Sequence, residues 1–180
     1  MGLLKGVHDA ELTTVYKTAV EDLGTIRFGP HGEVYQFVYV DDDVDVTAVC
    51  SVMGLADNVV SEYAVTPDRA AGSGLTKALT NASCIPVAGV AMFTADVSEG
   101  ERYGWIQVKG RHAGGFTTDG SVVAGIGIVA HVSTDGAAQI ANYETDGDPT
   151  DNTSSIFAIA IEADDATPVA GEVLLNCLGV

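Results

Sequence analysis

The chain has 180 residues and carries 25 Asp plus Glu against 8 Lys plus Arg, a formal net charge of −17. Nucleic-acid phosphates and anionic membrane surfaces repel such a chain, which excludes both as partners, and a 47% hydrophobic content excludes wholesale disorder. Val, Ile and Thr number 24, 9 and 16 against 10 Leu; β-branched residues lose side-chain freedom in helices and pack well on pleated sheets, so a mainly β domain is expected.

Between residues 9 and 24, Leu12, Val15, Tyr16, Ala19, Val20 and Leu23 share a face at helical spacing, with Asp9 as N-cap and Gly24 as stop. Thr13, Thr14, Thr18 and Val20 oppose a helix. The alternative is an extended arm whose apolar residues dock on another surface. Residues 1–23 are therefore set apart as an N-terminal arm and 24–180 as a β-rich domain.

Thr25 to Phe28, the turn Gly29-Pro30-His31-Gly32 and Glu33 to Val40 predict a β-hairpin. Its second strand places Val34, Gln36, Val38 and Val40 on one face and Tyr35, Phe37 and Tyr39 on the other, a stripe suited to a core or a subunit interface. An acidic corner, Asp41 to Asp45, ends that strand. Shorter strands are expected at Val46 to Met53 and Asn58 to Val65, followed by a polar surface loop from Arg69 to Ser83.

Two later segments overlay without a gap at an offset of 69 positions, Ala88 to Gly110 and Phe157 to Gly179. Each has a small/large apolar alternation, an acidic or Gly-rich turn, and a second apolar strand holding an amide (Gln107, Asn176) before a closing glycine. Two equivalent hairpins in one sandwich or barrel are expected. Between them, Ser121 to Val123, Gly127 to Val132 and Ala137 to Asn142 read as strands, with Asp-Gly turns at 119–120 and 135–136. The expected fold is thus a single antiparallel β-sandwich or barrel with an N-terminal arm.

Motifs that carry chemistry are weak. Gly125-Ile126-Gly127-Ile128-Val129-Ala130 fits a dinucleotide pattern in letters only, since no helix pattern follows to supply the amide cradle. Asp146 to Asn152 lacks the Gly and Glu positions of a calcium loop. His8, His31, His112 and His131 are scattered without metal-ligand spacing, and no serine sits in a GxSxG elbow. Cys50, Cys84 and Cys177 are far apart in sequence and are expected as small apolar residues on inner strand faces. No catalytic, cofactor-binding or metal-binding residue is nominated. No apolar run approaches the ~18 residues of a membrane span, and no signal-peptide core is present, so synthesis in a cytoplasm-like compartment is expected.

Four segments carry a family resemblance: Gly29-Pro30-His31-Gly32-Glu33-Val34-Tyr35-Gln36-Phe37 leading to Val40, Val87 to Ala91, Tyr103-Gly104-Trp105-Ile106-Gln107-Val108-Lys109-Gly110, and Ala158 to Glu162. From about residue 24 onward the chain resembles small capsid decoration (cement) proteins of tailed bacteriophages. The resemblance implies a non-enzymatic head-stabilising virion protein, a β domain on the outside of an icosahedral shell. It would act as a homotrimer whose arm reaches over the major capsid protein. On that reading Leu3, Leu4, Leu12, Val15 and Tyr16 contact the capsid, and Tyr35, Phe37, Tyr39 and Trp105 serve packing or the trimer interface. A head-fibre or carbohydrate/receptor-binding module using exposed aromatics is the alternative. A small β-barrel enzyme is a third, and it predicts a pocket of convergent polar groups.

Overall fold

The computed structural model describes residues 9–52, 63–67, 87–114, 118–119, 122–130, 136–141, 156–162 and 171–177. In chain order these hold one helical turn α1 (Asp9–Leu12), then β1 (Ile26–Phe28), β2 (Val34–Val40), β3 (Val49–Val52), β4 (Ala64–Thr66) and β5 (Val87–Ala91). There follow β6 (Tyr103–His112), β7 (Thr118–Asp119), β8 (Gly127–Ala130), β9 (Ala138–Ile140), β10 (Ala158–Ala160) and β11 (Val173–Asn176). The domain is mainly β, as the β-branched composition demands. The loops expected at 69–83 and 146–152 lie outside the described residues.

Pairing joins all eleven strands in the order β1-β2-β4-β3-β5-β6-β11-β10-β8-β9-β7. That order conceals a duplication. The run β2-β4-β3-β5-β6 has one parallel pair, β2 with β4, followed by antiparallel pairs. The run β7-β9-β8-β10-β11 repeats the same plan, with β7 parallel to β9. The two units meet through the antiparallel pair β6–β11. Within that pair the Cys177 amide donates to the Val108 carbonyl at 2.9 Å, and these two positions are equivalent under the 69-residue offset. The expected pair of hairpins is therefore present as β5–β6 and β10–β11, inside a larger five-strand repeat. The two parallel pairs depart from the antiparallel expectation.

In the first unit β2 also pairs with β6, so its pairings run full circle, while the sheet as a whole ends at β1 and β7 and stays open. Val38, Val40, Cys50, Val65, Ala88, Ala91, Ile106 and Val108, drawn from all five strands of that circuit, form its interior. Val49, Val87 and Val90 point the other way, into a second core with Ile128, Phe157, Val173 and Leu175 of the second unit. Strand β5 is thus buried on both faces, which explains its small residues: a side chain on Gly89 would start 2.7 Å from the Gln107 carbonyl oxygen.

Cys50 and Cys177 are free thiols among these apolar side chains, matching the expected role; Cys84 lies outside the described residues. Burial pushes both up to about 12, with the Cys50 charge adding to the effect at Cys177. A thiol alkylating agent at pH 8 is expected to leave both unmodified in the folded protein and to label both in denaturant, because the thiolate is the nucleophile. Peptide mass mapping reads the result, and rapid labelling of either in the folded chain would contradict the described packing.

The glycine-rich motif resolves as a turn and a strand. Gly125 has φ +87° with open space where a side chain would stand, and Gly127 opens β8. Gly125 takes the left-handed backbone that favours glycine.

Candidate functional site

Residues 11–23 form a strap over the outer face of β2 and β6. Leu12, Tyr35, Phe37 and Trp105 make a third apolar cluster, with Tyr16, Leu23 and Tyr103 packed against it. Tyr16 pairs its backbone with Tyr103, and the rings of Phe37 and Trp105 lie 5.2 Å apart. Arg27, between exposed Ile26 and Phe28 on β1, turns inward to stack 4.9 Å over Trp105 and ion-pairs with both Glu11 and Glu21. Beyond its single helical turn the strap is not helical.

These contacts correct the expectation for Leu12 and leave Val15 and Tyr16 partly exposed. Leu12 is only 4% exposed and has no surface left for a capsid contact; Tyr16 and Val15 are half-buried against their own domain. An isolated strap would expose these residues, but the uncovered aromatic face of β2 and β6 lies within reach and shields them first. Leu3 and Leu4 fall outside the described residues. Tyr35, Phe37, Tyr39 and Trp105 are all buried within the chain and do pack, so β2 presents no exposed aromatic platform for a sugar ring.

Charge is segregated along β6. At its start, Asp41, Asp42, Asp43 and Asp45 of the corner meet the loop holding Asp96, Glu99 and Glu101, joined by the Val97 amide donating to Asp43 Oδ1 at 2.8 Å. Hydrogen bonds from the Ser98 hydroxyl and amide hold the Asp96 carboxyl below its ordinary value. Arg102 and Lys17 are bound there to carbonyl oxygens of Asp41 and Glu99. This corner binds itself together; among the described residues no group of three potential ligands is placed to hold a metal ion.

Near its other end, roughly 20 Å away at about 3.3 Å per residue, β6 carries Lys109 and Arg111. A bulge opposite Val34 and Tyr35 and the left-handed Gly110, φ +95°, bend the strand. The buried Gln107 amide donates to the carbonyls of Lys109 and Arg111 at 3.2 and 2.9 Å, fixing the bend. Beside it opens a cleft of about 560 Å³ lined by His31, Lys109, Arg111, Ile159, Leu174 and Asn176, among others. Ile159 and Leu174 are cross-strand partners on the outer face of β10–β11 and are 47% and 49% exposed, so the cleft is an open groove. Arg111 is paired with Glu172, and His31 faces Glu33 at 3.5 Å. The Lys109 ammonium has no hydrogen bond or ion pair among the described residues.

The groove was not legible from residue spacing. Lys109 and Arg111 alternate like any solvated strand pair, and Ile159 and Leu174 look like core. Only the alternation of burial along β10 and β11, with their neighbours Ala158, Ala160, Val173 and Leu175 inward, turns them out.

His112 follows at the end of β6, 6% exposed, its Nδ1 accepting from the Gly114 amide at 2.9 Å. Burial pushes its pKa down to about 4 from the ordinary 6.5. The unfolded chain therefore binds a proton below pH 6.5 that the folded chain refuses until about pH 4. The stabilising contribution is complete above pH 6.5 and is lost as pH falls toward 4, amounting to about 3 kcal/mol. Denaturant unfolding of the wild type and His112→Gln across that range should show a shallower pH slope in the variant; equal slopes would contradict the buried neutral imidazole.

No family model matches the chain, and neither a curated protein nor a solved structure does.

Proposed function

We propose that the protein is a non-enzymatic structural protein of a phage particle, binding the outer surface of an icosahedral capsid as a homotrimer and bridging and stabilising major capsid protein subunits. The sequence resemblance supplies the class, and one observation supports the orientation: an acidic end and a groove-bearing apolar end lie at opposite ends of β6. A protein that caps a shell needs one face for the lattice and one for solvent. Carboxylates facing outward keep particles apart, while exposed Ile159, Ile161 and Leu174 offer apolar area to bury on docking. Binding to the assembled lattice and not to free subunits stabilises the shell by mass action.

Electron cryomicroscopy of the particle tests this. Density for the domain on the outside of the shell, with the Asp41–Asp45 corner toward solvent, is expected. Density inside the shell or confined to the tail refutes the reading. Tyr35, Phe37, Tyr39 and Trp105 are buried and do not favour the sugar-binding alternative.

A further inference from the structure

We propose that the groove beside Lys109 receives an extended segment of a capsid subunit that presents one carboxylate between aliphatic side chains. The proposal rests on the docking reading above and names the chemistry of the contact.

Charge complementarity selects the occupant. The chain has only 8 Lys and Arg, and two of them line this one groove. Arg111 is already neutralised by Glu172, and His31 lies beside Glu33. Among the described residues, what remains at the groove is one ammonium without an ion pair, Lys109, next to the half-exposed aliphatic pair Ile159 and Leu174. A carboxylate placed there gains a charge-assisted hydrogen bond in a partly dry site. Aliphatic neighbours on the same segment cover Ile159 and Leu174 and exclude water from the pair. A phosphate or a polyanion would meet the net charge of −17 with, among the described residues of the groove, one unpaired cation to offset it. A purely apolar segment would strand the Lys109 ammonium against hydrocarbon, at a desolvation cost. Asn176 at the groove wall adds an amide able to bond a passing backbone. The remaining acidic surface repels the same segment everywhere else, which gives register and specificity in place of a large attraction.

The test uses the full-length chain and capsid shells assembled without it. Wild type, Lys109→Glu, Leu174→Asp and, at the acidic end, Val46→Asp are titrated onto shells, with thermal unfolding of each measured in parallel. Leu174 and Val46 are both about half exposed, so unfolding midpoints should stay close to wild type. Lys109→Glu and Leu174→Asp are each expected to weaken binding on the order of tenfold or more, Val46→Asp to leave it unchanged, and added salt to narrow the Lys109→Glu difference. Zero-length carbodiimide coupling followed by mass spectrometry should join Lys109 to an Asp or Glu of the capsid subunit.

If wild type does not bind shells, the capsid reading itself falls. If wild type binds and both groove variants bind equally well, the groove proposal falls while the capsid reading stands. Coupling of Lys109 to a carboxylate of another copy of this chain overturns the proposal in favour of a contact between copies. Absence of any coupled carboxylate on bound shells overturns it as well.

Discussion

Replacing Trp105 with alanine is expected to cost about 3–5 kcal/mol of unfolding free energy, the range for truncating a large aromatic in a packed core. Trp105 is 1% exposed and is the common neighbour of Phe37, which it meets tilted at 5.2 Å, and of the Arg27 guanidinium. Its removal leaves a cavity that the strap cannot fill, because the strap is pinned elsewhere by backbone hydrogen bonds between Tyr16 and Arg102 and Tyr103. Denaturant titration followed by circular dichroism measures the loss. Val123→Ala, at a position 57% exposed, should stay within about 0.5 kcal/mol of wild type. A loss under about 1 kcal/mol in Trp105→Ala would mean that the aromatic cluster is not a core.

The second large effect is expected at Arg27. Its side chain is 10% exposed while its partners Glu11 and Glu21 are 36% and 24% exposed. Arg27→Met keeps the apolar stem but leaves both carboxylates without their cation. Fully buried pairs broken in this way lose about 3–5 kcal/mol; the partial exposure of the glutamates brings the expectation to about 2 kcal/mol. The strap should loosen before the domain unfolds. Emission of the single tryptophan should shift to longer wavelength as water reaches the cluster, and the Tyr16 amide, which donates to the Tyr103 carbonyl at 2.8 Å, should exchange faster than in wild type. If the Tyr16 amide keeps its protection, the apolar contacts of Leu12 and Tyr16 hold the strap without the ion pairs.

The two variants separate two contributions to one element. Trp105 supplies the surface on which the strap lies, and Arg27 supplies the charge that ties the strap to it. A double-mutant cycle should show coupling, since the guanidinium stacks on the indole itself. A strap committed to its own domain leaves the groove and the β10–β11 face as the exposed apolar surface described.

How far the chain could be read beforehand varies by element. The β1–β2 hairpin was legible because a period-2 pattern around a Gly-Pro turn is local: Val38 and Val40 face one core, and Tyr35 and Phe37 the other. The offset of 69 residues was legible as pattern and holds as two paired hairpins. The full five-strand repeat was not, since β7 and β9 are two and three residues long and too short to carry periodicity. The strap was half legible. Its apolar spacing marked Leu12 and Tyr16 for burial, but not against what.

The sequence by itself determined a β domain, the alternation of its main strands, the placement of acidic residues at turns, and small apolar roles for Cys50 and Cys177. Each follows from local geometry, in which neighbouring residues decide the backbone and the period decides the face. Tertiary structure alone decided which face is covered. Ile159 and Leu174 carry the same hydrophobic chemistry as Leu175, yet the second unit's inner face closes on Leu175 and leaves the other two in water. Lys109 became the groove's cation without an ion pair among the described residues only because Gly110 and the Gln107 amide bend β6 beside β11. Burial depends on residues distant in the chain, and no local period encodes which of two apolar faces will find a partner.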